Sequence, residues 1–141
     1  MLKERKRLVK KLDALCRQIL LKRDVCYENL FHCISCKNLL PINEGQTGHY
    51  ISRRYESLRW DLRNINLQCA HCNKWLSGNL VEYRKSLVAK YGDKEITKME
   101  TLYQRSPHYS VFDLQQLVKE YQGILTDTQI IVKTILQGES E

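Results

Sequence analysis

Apolar residues recur in the first part of the chain at three- and four-residue steps, Leu8, Leu12, Leu15 and Ile19 standing between lysines and arginines. That period predicts one amphipathic helix over residues 2–24. Cys16 shares its apolar face, where a free cysteine behaves as a small hydrophobe. From Phe31 to Ile51 the helical period stops. A Cys-x-x-Cys turn, a Pro41–Gly48 turn region and a short Tyr50–Ile51 extension predict a small β-hairpin with His49 near a strand end. Helical spacing returns with Leu76, Leu80, Tyr83 and Leu87, predicting a helix that stops at Gly92 and whose start Ser77-Gly78-Asn79 makes irregular. Asp93 can cap a short helix carrying Ile96, Met99 and Leu102. Ser110-x-x-Asp113 reads as a capping box before Leu114, Leu117, Val118 and Tyr121, and Thr126 opens a last helix with Ile130, Ile131 and Ile135. No internal repeat or low-complexity segment is present. The class is α+β, with a basic N-terminal helix over 1–30, a small core over 31–92 and a helical extension over 93–141.

Charge sharpens this picture. Across 141 residues the formal net charge is +7, and 43% hydrophobic with 28% charged residues is ordinary for a globular chain. Residues 1–24 carry nine Lys/Arg against three acids, and residues 48–90 carry eight (Arg53, Arg54, Arg59, Arg63, Lys74, Arg84, Lys85, Lys90) against three. A balance of this sign points to a polyanionic partner, nucleic acid or an anionic surface. Residues 107–141 reverse it, two lysines facing five acids, so their apolar stripes suit packing or self-association. No apolar run is long enough to span a bilayer, and the charged amino terminus lacks the apolar core of a signal peptide. The expectation is a cytoplasmic protein.

The cysteines carry the candidate chemistry. Cys33/Cys36 and Cys69/Cys72 form two Cys-x-x-Cys pairs separated by 32 residues. Each pair turns two sulfurs the same way, and two pairs complete one tetrahedral Zn²⁺ shell. In a reducing compartment zinc is favoured over disulfides. Cys16 and Cys26 fall outside the pattern and read as free thiols. Fingers that present one helix to DNA leave about 12–20 residues between ligand pairs. The longer interval here has room for a hairpin and a crossing loop, and it holds His49.

The run Gly48-His49-Tyr50-Ile51-Ser52-Arg53, then Arg63-Asn64-Ile65-Asn66-Leu67-Gln68-Cys69-Ala70-His71-Cys72-Asn73, then Ser77-Gly78-Asn79, resembles the phage recombination NinG (Rap) family within the HNH endonucleases. The resemblance covers residues 8–92. It implies a zinc-stapled ββα-metal core, a metal-dependent activity on branched recombination DNA such as four-way junctions, and, for a phage protein, a bacterial host cytoplasm. It further implies that His49 is the general base, that Asn64 orients the hairpin loop, and that Asn73 ligates a catalytic Mg²⁺ or Mn²⁺. Asn66, two residues on, competes with Asn64 for the orienting role. Many HNH proteins carry an aspartate or histidine ligand immediately before the catalytic histidine. Here that position is Gly48, which leaves water, phosphate, Asp61 or Asn79 to complete the shell.

The chemistry suits these residue types. A neutral imidazole accepts a proton near neutral pH when a carbonyl or amide orients the ring. An amide oxygen prefers a hard cation. Arg53, Arg54, Arg59, Arg63, Lys74 and Arg84 are expected to contact phosphates, positioning DNA with little sequence preference. A symmetric junction suggests a homodimer, with recombination proteins as further partners. Two rival expectations stand beside the endonuclease: a non-catalytic module that holds branched DNA, and a zinc-organised adaptor in a recombination complex. His71 is expected to be solvent-exposed, and His32 and His108 fall in no recognisable pattern.

Overall fold

The structure is a computed structural model that describes residues 1–105 and 108–138, with side chains as far as residue 127 in the last helix. The apolar period of the N-terminal segment does form one helix, α1 (Leu2–Arg23), which buries Leu8, Leu12, Leu15, Cys16, Ile19 and Leu20. α5 (Val111–Gly138) is continuous. Thr126 lies inside it and opens no new helix, and the side chains of Ile130, Ile131 and Ile135 fall outside the described residues. The predicted capping box is formed at its start. The Ser110 backbone N–H donates to Asp113 Oδ2 at 2.9 Å, and the Asp113 N–H donates to Ser110 Oγ at 3.1 Å. From Leu114 onward, α5 buries Leu114, Val118, Tyr121 and Leu125 at the same three- and four-residue steps.

The chain divides into two compact units, Met1–Lys22 with Tyr109–Glu141, and Arg23–His108. In the first, the Arg5 guanidinium donates to the Tyr109 carbonyl at 3.2 Å. The second holds the candidate chemistry, and its described residues form five short strands and three α-helices, with short 3-10 and π turns between them. β1 (Val25–Cys26), β2 (Leu30–His32) and β3 (Leu39–Pro41) form an antiparallel meander, in which Phe31 pairs with Leu40. β4 (Gln46–His49) pairs antiparallel with β5 (Ile65–Gln68), aligning Gln46 with Gln68, Gly48 with Asn66 and His49 with Ile65. The hairpin expected within 31–51 is therefore two separate pairings. Tyr50 and Ile51 begin the crossing loop and are not strand.

α2 (Glu56–Arg59) is a single turn inside that loop. α3 (Leu80–Tyr91) and α4 (Asp93–Leu102) follow, joined at Gly92, whose φ of 91° only glycine adopts at little cost. Leu58, Tyr83, Leu87, Ile96 and Met99 make one buried cluster, so residues 93–102 belong with the central core. Asp93 starts α4 without capping it: Gly92 is the N-cap, and the Asp93 carboxylate pairs with Arg84 at 3.3 Å. Leu76 and Leu80, expected on the buried face with Tyr83 and Leu87, are 46% and 45% exposed. The reason is local. A single π turn over His71–Trp75 and three consecutive positive φ values, at Ser77, Gly78 and Asn79, rotate them off that face.

Candidate metal centre and hairpin site

Cys33–Cys36 caps the β2–β3 hairpin, held by Cys33 N–H to the Asn38 carbonyl at 3.0 Å and Lys37 N–H to the Cys33 carbonyl at 2.9 Å. Cys69–Cys72 follows β5 directly. The Ile34 N–H donates to the Leu67 carbonyl at 3.1 Å, which draws the first knuckle onto the strand leading into the second. The four Sγ atoms consequently lie within 4.8 Å of one another. Thiolates ~2.3 Å from a tetrahedral zinc are separated by about 3.8 Å. Cys36 Sγ and Cys69 Sγ are 3.8 Å apart. The donor set and spacing fit Zn²⁺. Asn79, considered above as a ligand to a catalytic cation, instead donates its amide to Cys72 Sγ at 3.5 Å, the outer contact that commonly supports a ligated thiolate. Burial pushes the Cys72 thiol up to about 12, an environment that a bound cation reverses by holding the thiolate.

His49 ends β4 and is half-buried. Its Nε2 lies 3.0 Å from the Arg59 carbonyl. A carbonyl only accepts, so Nε2 carries the hydrogen and the lone pair of the neutral ring resides on Nδ1. Arg59 is placed for this by α2 and the loop, and the loop is fastened by Asn64. Asn64 is fully buried; its Oδ1 accepts from Ile51 N–H at 2.8 Å, and its Nδ2 donates to the carbonyls of Ile51 and Leu58, both at 3.0 Å. One amide thus bridges both sides of the segment between β4 and β5. Asn66 does different work, its Oδ1 accepting from Arg23 at 2.9 Å and its Nδ2 donating to the Tyr83 hydroxyl at 3.3 Å. Of the two, Asn64 is the one that bonds the loop between β4 and β5 at Ile51 and Leu58.

Asn73 lies in the π turn and donates to Gln46 Oε1 at 2.8 Å. Strand alternation puts Gln46 and Gly48 on one face of β4, and Thr47 and His49 on the other. Asn73 therefore reaches the strand of His49 at its opposite end and on its opposite face. Asp61 is engaged by Arg63 at 2.9 Å.

Gly48 has a reason that sequence reading missed. A Cβ at this position would stand 2.0 Å from Gln68 Oε1 and 2.5 Å from Gln68 Cδ. The Gln68 side chain occupies the space that a residue with a side chain at 48 would need. It is fully buried, and its Nε2 donates to Ser35 Oγ at 2.8 Å and to the Gly78 carbonyl at 2.7 Å. Ser35 lies between the cysteines of the first knuckle and Gly78 follows the second. Gln68 thus ties the two knuckles together, while its own Oε1 has no hydrogen-bond partner among the described residues. The only sequence signal was its place immediately before Cys69.

Among the six cations expected at a phosphate surface, Arg53, Arg54 and Lys74 are exposed. The Arg54 guanidinium lies 5.0 Å from the Tyr55 ring centroid and that of Arg59 lies 5.5 Å from the Trp60 ring. Arg63 is committed to Asp61 and Glu95, and Arg84 to Glu100 and Asp93. Local pairing neutralises both, so they add little to an anion-attracting field. His71 is exposed, the His32 ring contacts the Lys37 carbonyl, and His108 lies 3.6 Å from Glu56.

The profile of the family described as Bacteriophage Lambda NinG protein matches residues 1–130. The chain belongs to the NinG family. It is similar to the protein ninG of Escherichia phage lambda, 34% identical over 96 residues that make up 67% of this chain and 46% of that one. Against the ninG protein of Salmonella phage P22 identity is 35% over 96 residues, 67% of this chain and 46% of the relative. The match to Enterobacteria phage H19B ninG is 38% over 74 residues, 52% of this chain and 36% of that one. The chain thus matches less than half the length of these curated relatives. No solved structure matches it. Among the described residues no helix is long and apolar enough to cross a membrane.

Proposed function

We propose that this chain is a metal-dependent, structure-selective DNA endonuclease of the HNH type that acts on branched recombination intermediates such as four-way junctions. The observation that carries the reading is the closed hairpin, in which His49 at the end of β4 gives Nε2–H to the Arg59 carbonyl while Asn64 bridges the intervening loop. The order of hairpin, cysteine knuckle and helix agrees with a ββα-metal core stapled by zinc. The recombination assignment rests on the resemblance described above. It extends to a homodimer on a symmetric junction and to a host-cell cytoplasm.

In this reading His49 Nδ1 accepts a proton from water as the oxygen attacks phosphorus and the bond to O3′ breaks. The products are a 5′-phosphate and a 3′-hydroxyl, the departing oxygen taking its proton from solvent. Asn64 contributes by fixing the loop carbonyl that orients the ring. With Nδ2 given to Gln46, Asn73 keeps its amide oxygen as a donor for a hard cation such as Mg²⁺ or Mn²⁺, but on the face of β4 opposite His49. A cation beside the phosphate that His49 serves would supply charge stabilisation there with a shell drawn chiefly from water and phosphate. Arg53, Arg54 and Lys74 hold the backbone phosphates.

A second reading, a module that binds branched DNA without cutting it, draws support from Gln68, which fills the space where a ligand at position 48 would stand. End-labelled four-way junction and linear duplex, incubated with zinc-loaded protein with and without Mg²⁺ or Mn²⁺, separate the two. Metal-dependent nicking near the branch that His49→Ala abolishes while sparing binding is the expected result. Tight binding with no cutting under either cation would replace the endonuclease by the module. Absence of both would leave the zinc-organised adaptor.

A further inference from the structure

Ten large hydrophobic side chains are prominently exposed among the described residues, and four of them fall within seven positions: Trp75 at 81%, Leu76 at 46%, Leu80 at 45% and Val81 at 70%. Single exposed apolar residues are ordinary, but a cluster asks for an occupant. This cluster is produced by backbone that ordinary helix formation would have avoided. The π turn over His71–Trp75 is a rare element, and Ser77 at φ 49° and Asn79 at φ 43° are non-glycine residues in the left-handed region. The Gly78 N–H to the Cys72 carbonyl at 2.8 Å and Asn79 N–H to the Leu76 carbonyl at 2.8 Å hold the turn against the second cysteine knuckle.

Charge selects the occupant. No aspartate or glutamate occurs between Asp61 and Glu82, nor between Glu44 and Glu56, the two stretches that build the hairpin and the π turn. They carry Arg53, Arg54 and Lys74 exposed, and Lys74 directly precedes Trp75. The next acid, Glu82, is paired with Lys85 at 2.9 Å. A second copy of the chain docking here would set lysine against lysine, whereas a polyanion with apolar faces between its charges complements both features.

We infer that exposed Trp75, in a segment that also exposes Leu76, Leu80 and Val81, is a stacking platform for unpaired nucleobases at a branch point or gap, with Lys74 on the adjoining phosphate. The inference rests on the DNA-binding part of the reading above and specifies how branched DNA is told from duplex: continuous duplex hides its base faces, and only unstacked bases expose them to an indole. The platform requires no cutting and serves the endonuclease and the binding module alike.

The chain has two tryptophans, and Trp60 is 2% exposed, so externally quenchable emission reports on Trp75. Zinc-loaded protein in Ca²⁺ buffer would be titrated with a four-way junction bearing unpaired thymines at the branch, and with blunt duplex of equal length, following DNA anisotropy and acrylamide quenching together. The branched DNA should shield Trp75 from acrylamide and the blunt duplex should not. Trp75→Ala should weaken junction binding about tenfold, the scale of one lost base–aromatic stack, with duplex binding changed less than about twofold, while Trp75→Phe retains most of the affinity. DNA bound without any change at Trp75, or Trp75→Ala weakening both DNAs equally, would overturn the platform and leave the DNA-binding reading standing. Sedimentation showing that Trp75→Ala splits a dimer would reassign the patch to self-association. Failure to bind either DNA would remove the platform and the DNA-binding reading together.

Discussion

Gly48→Ala adds one methyl group, and its expected effect is loss of the clasp between the cysteine knuckles. Gly48 does not have a positive φ, so alanine fits the backbone and the cost is steric. The new Cβ falls 2.0, 2.5 and 2.7 Å from Gln68 Oε1, Cδ and Cγ, closer than real contacts allow. Gln68 must swing away and give up its bonds to Ser35 Oγ and the Gly78 carbonyl. At ~1 kcal/mol net for each bond the loss is about 2 kcal/mol, within the 1–3 kcal/mol usual for overpacking. Restricting the unfolded chain returns roughly 0.4–1 kcal/mol, and Oε1 had no partner to lose. The net is a destabilisation of ~1–2 kcal/mol, with faster loss of zinc. Urea unfolding of zinc-loaded protein and zinc transfer to a colorimetric chelator would measure these, beside Gln68→Ala and the double variant. In the Gln68→Ala background the Gly48→Ala cost should fall to near zero, a coupling of at least about 1 kcal/mol between neighbours. A Gly48→Ala cost below ~0.5 kcal/mol, or the same cost with and without Gln68, would refute the clasp.

Asn64→Ala should cost ~2–4 kcal/mol, since it strands the Ile51 N–H and two carbonyls in buried surroundings; hydrogen exchange should show protection lost at Ile51 and retained in α5, and unchanged protection there would count against the clamp. Stripping zinc with a strong chelator should unfold Arg23–His108 while α1 and α5 keep helical signal, and a far-ultraviolet and near-ultraviolet dichroism pair unchanged by chelation would dismiss the metal centre. The Glu100 carboxyl is held below its ordinary range by hydrogen bonding from Arg84, against desolvation and with help from the Tyr50 hydroxyl. A depressed carboxylate pKa contributes stability above its unfolded value of 4.5, lost as pH falls through the lower folded value. Glu100→Gln should therefore lower stability at pH 7 and flatten its acid dependence below pH ~4.5, and parallel pH profiles for the two proteins would contradict the linkage.

Several elements were legible because their causes are local. Leu8, Leu12, Leu15 and Ile19 announce α1 by period alone, and the Ser110–Asp113 box marks the start of α5 by a hydrogen-bond exchange spanning one turn. The cysteine pairs were equally readable, since each knuckle closes within four residues. The hairpin was misread where its partner is distant. β4 could be guessed near His49, but not that it pairs with β5 across a loop that includes α2. Leu76 and Leu80 carried the right spacing for a buried stripe and were displaced by a π turn and a left-handed turn. Propensity did not announce either.

Sequence by itself determined the family, the helical ends, the four-thiolate donor set and the basic sign of the surface, because residue identity and short spacing fix all of these. Tertiary structure alone decided which asparagine clamps the loop, which arginines are neutralised by acids on other elements, and why position 48 holds glycine. Gly48 and Gln68 are twenty residues apart and meet only through the antiparallel register of β4 on β5. The exclusion of a side chain by a neighbour's amide is a contact of atoms in space, and spacing along the chain carries no record of it.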